Sequence, residues 1–569
     1  MSDNGKMANG NGATDKIDAI GLSAEELYRR GRALAFGLDG VRIDGPKGLA
    51  LLEAAAEAGS LDAQGELAEA LFDGLQGTKP DAARAVELAK KPAEAGNPFA
   101  LDTLGAAYRD GKGGLRKDKT KAREFFARAF EEFKRMSEEP NPDARALCYL
   151  GCYLGDGRGS ANGRPNLSRK VTAESARLWL RSAELGFAQA AANVAYYYLY
   201  YLDGDGEEDR AKGVRWYRKA AELGCATAAI ELAFCYLNGN GVERDPAEGV
   251  RWFRTAAEAG SAEAANRLGG VYEEGWGVEP NPDEALRWFL RAAELGDEAA
   301  TVNVAGMLAE RFGVEVDFDE TTEESAPDAA RWLAGFYERG SDEAGFERDE
   351  KRTVAWLRRA VELGDAEAAS WLGRAYFDGA YGLQKDDAEA VRLYRLAAER
   401  KDAAGTCNLA FAYSVGIGGL KRNVAESRRL NRVAVKRGNA AAASNLAGSY
   451  LLDETDKAGN AAPNYRSALR WFQKAAELGD GDSALRLGDY YRDGEPNFKI
   501  KPNAAEAARW YRVGAEAGNR DAMERLGECF AKGVGVAENK DEALRWLLAS
   551  QGTTVEEYVA AARAQAKGK

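Results

Sequence analysis

The amino-acid sequence predicts an all-α fold, an α/α superhelical solenoid of about 13 helix-pair repeats, on three observations. Tryptophan returns on a near-fixed beat, with Trp179, Trp216, Trp252 and Trp288 lying 37, 36 and 36 residues apart. Each beat falls inside the same surrounding pattern, of which Ser261 to Gly296 is one complete unit. The beat also runs almost end to end, its slot filled by Leu51, Leu88 and Phe125 before the four tryptophans and by Trp356, Leu393, Leu430, Trp471, Trp510 and Trp546 after them. Self-similarity at this period means two antiparallel helices per unit, stacked on their neighbours to bury a continuous core. Large apolar residues throughout the slot predict that it belongs to that core.

Each element of the unit carries its own signal. The first helix opens on Ser261, Asp297 or Asp365, whose side-chain oxygens suit the free amides of a helix start. Between the helices lies a glycine loop, such as Gly239-Asn-Gly-Val242, Gly275-Trp-Gly-Val278 or Gly533-Val-Gly-Val536. None of these loops continues into the Gly-Lys-Ser/Thr of a phosphate loop, so they read as turns. The second helix often opens on a cap and a proline, as in Asp245-Pro246 and Asn281-Pro282, and closes on a glycine suited to the left-handed residue after a helix end: Gly186, Gly224, Gly260, Gly296, Gly364, Gly438, Gly479 and Gly518.

Together, Leu-Gly-x-x-Tyr, Gly-x-Gly-Val, Ala-x-x-Trp and Ala-Ala-Glu-x-Gly resemble the Sel-one-like repeat (SLR) family, relatives of the tetratricopeptide repeats. The resemblance is strong over residues 187 to 296 and 365 to 552 and weaker before about residue 140. It implies a right-handed superhelix with first helices on the concave face and second helices on the convex face, and a role as an adaptor or scaffold for protein complexes, which is an argument by association.

The expected organisation is a disordered tail over 1–20, a repeat solenoid over 21–552 and a C-terminal capping helix and tail over 553–569. Two intervals are long, 54 residues from Phe125 to Trp179 and 68 from Trp288 to Trp356. In the second, a first helix from Asp297 to Arg311 lacks a convincing second helix before Pro327, which predicts an irregular break near 312–326. The acidic run Glu315 to Glu324 there reads as a solvated connector or as a docking strip for a basic partner.

Composition narrows the function. A net charge of −13 over 569 residues argues against nucleic acid and anionic membranes as partners. The longest apolar stretch, Ala195 to Leu202, is far too short to span a bilayer. The start of the chain lacks the apolar run of a secretory signal, so the expected location is the cytoplasm, with export by a signal-independent route left open. The chain contains no histidine, which removes the commonest general base and the imidazole ligands of catalytic zinc. Six cysteines are scattered over several units, with Cys148 and Cys152 one helical turn apart. That pair reads as small helix residues, or as half of a redox or metal site needing two further ligands. Some secreted SLR proteins carry a regular bridged pair per repeat; departure from that pattern favours a reducing compartment. Other members are linked to penicillin and cephalosporin hydrolysis, yet neither Ser-x-x-Lys nor Lys-Thr-Gly occurs here. Asp203-Gly-Asp205-Gly-Glu207 suggests calcium only faintly, because Glu208 stands where an EF-hand loop needs glycine and Val214 where it needs glutamate. No cofactor and no metal are expected.

The binding face follows from spacing. Counting from the recurrent Leu of Leu-Gly as zero, positions −4, −3, 0, +1 and +4 share one helix face, which leaves −1, +2 and +6 opposite the core. Slot −1 reads Glu66, Thr103, Tyr149, Asn193, Glu231, Arg267, Asn303, Trp332, Trp371, Asn408, Asn445, Arg486 and Arg525. Two successive tryptophans on an exposed face suit binding anchors, and their replacement is then expected to leave stability nearly unchanged. Asn193, Asn303, Asn408 and Asn445 suit a clasp on peptide backbone, and Arg486 and Arg525 an anion-accepting end. Tyr196 and Tyr200, at +2 and +6, with Phe234, form a second patch. Packing between units competes with binding at each of these positions. The leading expectation is a non-catalytic scaffold that holds an extended peptide or partner protein on the concave face. The alternative is a carboxylate-based hydrolase, or an exported effector acting on a host or cell-wall target.

Overall fold

The pattern of caps and glycines becomes a succession of short helices of nearly equal length. The computed structural model describes residues 22–75, 78, 80–156, 173–201, 206–316, 323–340, 347–452 and 463–558. These contain 27 α-helices, thirteen pairs and one single helix.

The helices fall into two compact units. The first carries seven pairs: α1 (Ala24–Phe36) with α2 (Gly45–Glu57), α3 (Leu61–Asp73) with α4 (Ala82–Glu94), α5 (Pro98–Asp110) with α6 (Lys119–Ser137), α7 (Ala144–Asp156) with α8 (Ala173–Glu184), α9 (Ala188–Tyr200) with α10 (Glu207–Glu222), α11 (Ala226–Asn238) with α12 (Pro246–Glu258), and α13 (Ala262–Glu274) with α14 (Pro282–Glu294). The single helix α15 (Glu298–Phe312) follows. The second unit carries six pairs: α16 (Ala326–Arg339) with α17 (Glu350–Leu363), α18 (Ala366–Asp378) with α19 (Asp387–Glu399), α20 (Ala403–Val415) with α21 (Val424–Lys436), α22 (Ala440–Leu452) with α23 (Tyr465–Glu477), α24 (Gly481–Asp493) with α25 (Ala504–Glu516), and α26 (Arg520–Lys532) with α27 (Lys540–Ser550).

The start and stop signals operate as physical caps. Ser261, Asp297 and Asp365 accept hydrogen bonds from the amides of Ala264, Ala300 and Ala368, and Asp245 and Asn281 from those of Glu248 and Glu284. Each cap satisfies an amide with no partner in the helix and is worth about 1 kcal/mol. The glycines that close the second helices have φ between 84° and 110°.

Packing within a pair corrects one expectation. The tryptophan slot is core in part: Leu51, Trp179, Trp356, Leu393, Leu430 and Trp510 are buried, whereas Trp216, Trp252, Trp288 and Trp471 are only half-buried. In the units of these four half-buried tryptophans the residue after the slot is the buried one, and Tyr217, Phe253, Phe289 and Phe472 are at most 3% exposed. Its socket explains the Leu-Gly signature. A Cβ on Gly269 of α13 would stand 2.5 Å from the ring of Phe289 in α14, so only glycine lets that ring sit flat on its partner helix. Burying each such ring contributes about 1.5–3 kcal/mol.

Of the expected boundaries, the tail over 1–20 lies outside the described residues, as do 559–569. A helical turn over 555–558 precedes the latter. Between α15 and α16 the described chain holds only a 3₁₀ turn, Glu323–Ser325, and residues 317–322 lie outside it.

Candidate functional site

The inner face of the first unit is closed by the chain itself. The first helices α3 and α5 pack on one another, and Arg32 of α1 reaches past them to Asp143, just ahead of α7, at 2.7 Å. Arg32 also pairs with Glu66, which is 0% exposed, at 3.0 Å. Arg145 pairs with Glu66 at 2.9 Å and Glu69 at 2.5 Å, its guanidinium 3.5 Å from the ring centre of Phe36 and 4.2 Å from that of Phe99. Tyr149 donates to Glu69 and Tyr153 to Asp102. The turn after α1 then lies on the ends of later helices, with Ile43 N donating to Leu223 O at 2.9 Å and Ala188 N to Gly37 O at 3.3 Å.

Burial dominates the electrostatics here. It raises Glu66 even though Arg32 and Arg145 pull the other way, because both oxygens have lost water. Burial, helped by the nearby Glu69 and Asp73 carboxylates, pushes Asp102 up to about 7 against the hydrogen bond from Tyr153. Asp73 is likewise pushed to about 7 by burial and then by Glu69.

This closure corrects the prediction for Asn193. It is 2% exposed, and its amide donates to the sulfurs of Cys148 and Cys152 at 3.4 and 3.8 Å. Spacing marked slot −1 as opposite the pair's own core, and so it is, but the neighbouring first helices bury it from the other side. The Cys152 contact and then burial push the Cys148 thiol well above its ordinary value, which disfavours its reactive thiolate form. All six cysteines are free and buried.

The other asparagines share this behaviour. Asn303 donates to Asn266 at 3.2 Å, Asn408 to Ser370 at 3.4 Å and Asn445 to Cys407 at 3.4 Å, each partner 37 or 38 residues earlier on the preceding first helix. A two-handed clasp on peptide backbone needs donor and acceptor free at once. Here one N–H of each amide ties one repeat to the next, so a clasp would have to use the second N–H and the carbonyl oxygen.

The inner face of the second unit is open. Trp332, Trp371 and Asn408, on α16, α18 and α20, line one cavity of about 690 Å³ together with Arg331, Arg339, Arg374 and Arg437. Trp332 is 7% exposed, stacked on Phe336 with centroids 5.2 Å apart, its indole nitrogen donating to Glu315 O at 3.2 Å. It is therefore a buried wall, contrary to the exposed position that spacing assigned. Trp371 is half-buried, and its indole donates at 3.1 Å to the hydroxyl of Tyr381, which donates in turn to Glu338 at 2.5 Å. Tyr381 holds a left-handed backbone with φ of 55°, unusual for a side chain of this size, and that conformation delivers its hydroxyl to the cavity wall. Gly335 forms the floor: a methyl group there would stand 3.9 Å from both the Arg339 guanidinium and the Trp371 ring.

Arg486 and Arg525 are exposed further along the second unit, Arg486 with its guanidinium 5.2 Å from the ring centre of Phe472. Tyr196 and Tyr200 belong to the first unit, their rings 4.6 Å apart, Tyr196 half-buried and Tyr200 51% exposed. Burial, and then Glu231, push Tyr200 up to about 12. Arg486 and Arg525 are not part of the lining of the tryptophan cavity. Sequence reasoning missed Arg339, Arg374 and Phe411, although all occupy slots +2 or +6 and the same counting finds them.

The Asp203 to Glu207 loop and the acidic run fall largely outside the described residues. Among the described residues no three cysteine or acidic side chains converge to hold a metal ion, and no helix is long and apolar enough to cross a membrane.

No curated protein is significantly similar to this chain. Among solved structures, it is similar to c5321, a protective antigen of uropathogenic Escherichia coli with an SLR fold, at 25% identity over 88% of this chain and 85% of that one, with a TM-score of 0.31. A Sel1 repeat protein from Oxalobacter formigenes is similar at 23% identity over 66% and 86%, TM-score 0.27, and the immunity protein PA5088 from Pseudomonas aeruginosa at 19% over 49% and 85%, TM-score 0.24. The Sel1 repeat profile matches twelve segments, 27–60, 61–97, 99–132, 188–225, 226–261, 262–297, 327–365, 366–402, 403–439, 440–480, 481–519 and 520–550. These segments coincide with the helix pairs other than α7 with α8, and on them the chain belongs to the Sel1 repeat family.

Proposed function

We propose that the protein is a non-catalytic scaffold that holds an extended segment of a partner protein on the inner face of its second unit. Sel1 repeat proteins generally act as interaction scaffolds and are generally non-catalytic. The observation that carries the reading is the cavity between Trp332 and Trp371: an aromatic-walled hollow on a rigid helical face is where side-chain anchors of a partner gain most. Exposed Phe411 and Val415 continue the face along α20, and Arg486 and Arg525 offer cations further on. The acids that a carboxylate hydrolase would need are instead buried with arginine or tyrosine partners in the first unit, which supports a structural role for them. Free, buried cysteines support a reducing compartment such as the cytoplasm.

Site-specific photo-crosslinking in the native host tests the reading. A photoreactive amino acid in place of Phe411 should capture one partner protein, whereas the same group at the exposed outer position Arg395 should not. Equal capture from both positions, or none from Phe411, overturns it.

A further inference from the structure

We infer that the cavity of the second unit selects partner segments by a carboxylate side chain, so that the occupant is an acidic, apolar-flanked stretch of extended polypeptide. The inference rests on the peptide-binding reading above and concerns what that face prefers.

The argument is an inventory of charge. The protein carries a net −13, yet the cavity lining holds four arginines against Glu338, Glu367 and Asp402. Each of those acids is already engaged. Glu338 accepts from Tyr381, Asp402 caps α20 through the amide of Gly405, and Glu367 lies 3.6 Å from Arg331. Two arginines are also answered: Arg331 by Asp328 and Asp365, at 3.0 and 3.1 Å, and Arg374 by Asp378 at 2.5 Å. Arg437 donates only to backbone carbonyls and the Thr406 hydroxyl, and Arg339 has no ion pair among the described residues. Two guanidinium groups therefore line the same hollow with no carboxylate partner among the described residues, one of them across Gly335 from the edge of Trp371. A guanidinium beside an aromatic wall favours a planar carboxylate, which can accept two parallel hydrogen bonds.

The surroundings restrict the source of that carboxylate. A polyanion such as nucleic acid is disfavoured by the field of a strongly acidic chain, whereas one or two isolated carboxylates are not. The face does not end at the cavity. Phe411 and Val415 are 43% and 52% exposed on α20, and Leu452 is 79% exposed on α22. A segment seated in the cavity thus runs on over apolar ground, which fits a side-chain carboxylate within a chain followed by apolar residues.

The test uses the full-length protein and fluorescein-labelled decapeptides with blocked ends, in which two central positions are both Glu or both Gln and a Leu-x-x-Phe run follows. Anisotropy titration at low salt should show the Glu peptides binding at least tenfold tighter than their Gln counterparts. The preference should collapse below threefold in Arg339→Gln, whose melting curve should overlay wild type because Arg339 is exposed and has no ion pair among the described residues. Equal binding of Glu and Gln peptides overturns the charge preference while leaving the scaffold reading intact. A preference that persists in Arg339→Gln, or a labelled oligothymidine that binds more tightly than the Glu peptides, overturns the assignment as well. Failure of both peptide sets to bind at all overturns this inference and the reading beneath it together.

Discussion

Arg32 and Asp143 are 111 residues apart in the chain and 2.7 Å apart in space. Their contact ties the first inner helix to the fourth, and with Arg145 between Glu66 and Glu69 it converts what spacing marks as an open face into a buried ionic core.

Such a core is sensitive to the loss of one partner. Arg145→Ala should lower stability by about 3–5 kcal/mol, because it strands the charges of Glu66 and Glu69 out of water. Arg145→Met combined with Glu66→Gln should recover part of the loss. Thermal melts of the three proteins decide the point, and a wild-type melt for Arg145→Ala would refute it.

The same core makes stability depend on pH in a defined direction. Asp102 and Asp73 titrate near 7 in the folded protein and near 4 when unfolded. Between those values the folded state holds protons that the unfolded chain has released, so this contribution is fully present below about pH 4 and is lost as pH rises through 7. Each group adds a slope of up to about 1.4 kcal/mol per pH unit. Urea unfolding from pH 5 to 8 should show the decline, and Asp102→Asn should flatten it.

Two adjacent glycines give a sharper test of packing. Gly269→Ala should destabilise by about 1–3 kcal/mol, since its new methyl collides with Phe289. At Gly270 nothing lies within 4 Å, so Gly270→Ala should be neutral or stabilise by about 0.5–1 kcal/mol through helix propensity alone. Similar melting temperatures for the two variants would contradict the socket.

The two cavity tryptophans should separate. Trp371→Ala, half-exposed, should weaken partner binding by about 2 kcal/mol with a modest change in melting. Trp332→Ala should cost about 3–5 kcal/mol of stability as well, because that ring is walled in by Phe336 and the Glu315 carbonyl. Calorimetry and a binding assay on each single mutant measure both effects.

Much of this was legible in the order of residues. The tryptophan beat, Asn281-Pro282 and the closing glycines are local signals, and local signals survive into structure because caps and left-handed turns depend on few neighbours. The depth of Phe289 relative to Trp288 was missed, since a repeated large residue advertises itself whether or not it is the buried one. The fate of slot −1 was beyond periodicity altogether. Periodicity places a residue opposite its own pair's core, but only three-dimensional packing shows that Asn193 meets Cys148 there while Asn445 stays exposed. The cavity was half-visible: two tryptophans gave its walls, and of its arginines Arg339 and Arg374 lay in the slots counted for Tyr196 and Tyr200, while Arg331 and Arg437 lay in none.

The glycine socket also bears on how such an array changes length. Gly269 receives Phe289, Gly373 approaches Tyr394 and Gly488 approaches Tyr511, in every case within one pair. Each of these pairs is thus a cassette whose ring socket needs nothing from next door. Duplicating or deleting a whole cassette leaves every remaining socket occupied, whereas gaining or losing a single helix leaves a ring without its seat. Arrays built this way can drift in length by whole steps, and the surfaces they present can be extended or trimmed without redesigning what holds them together.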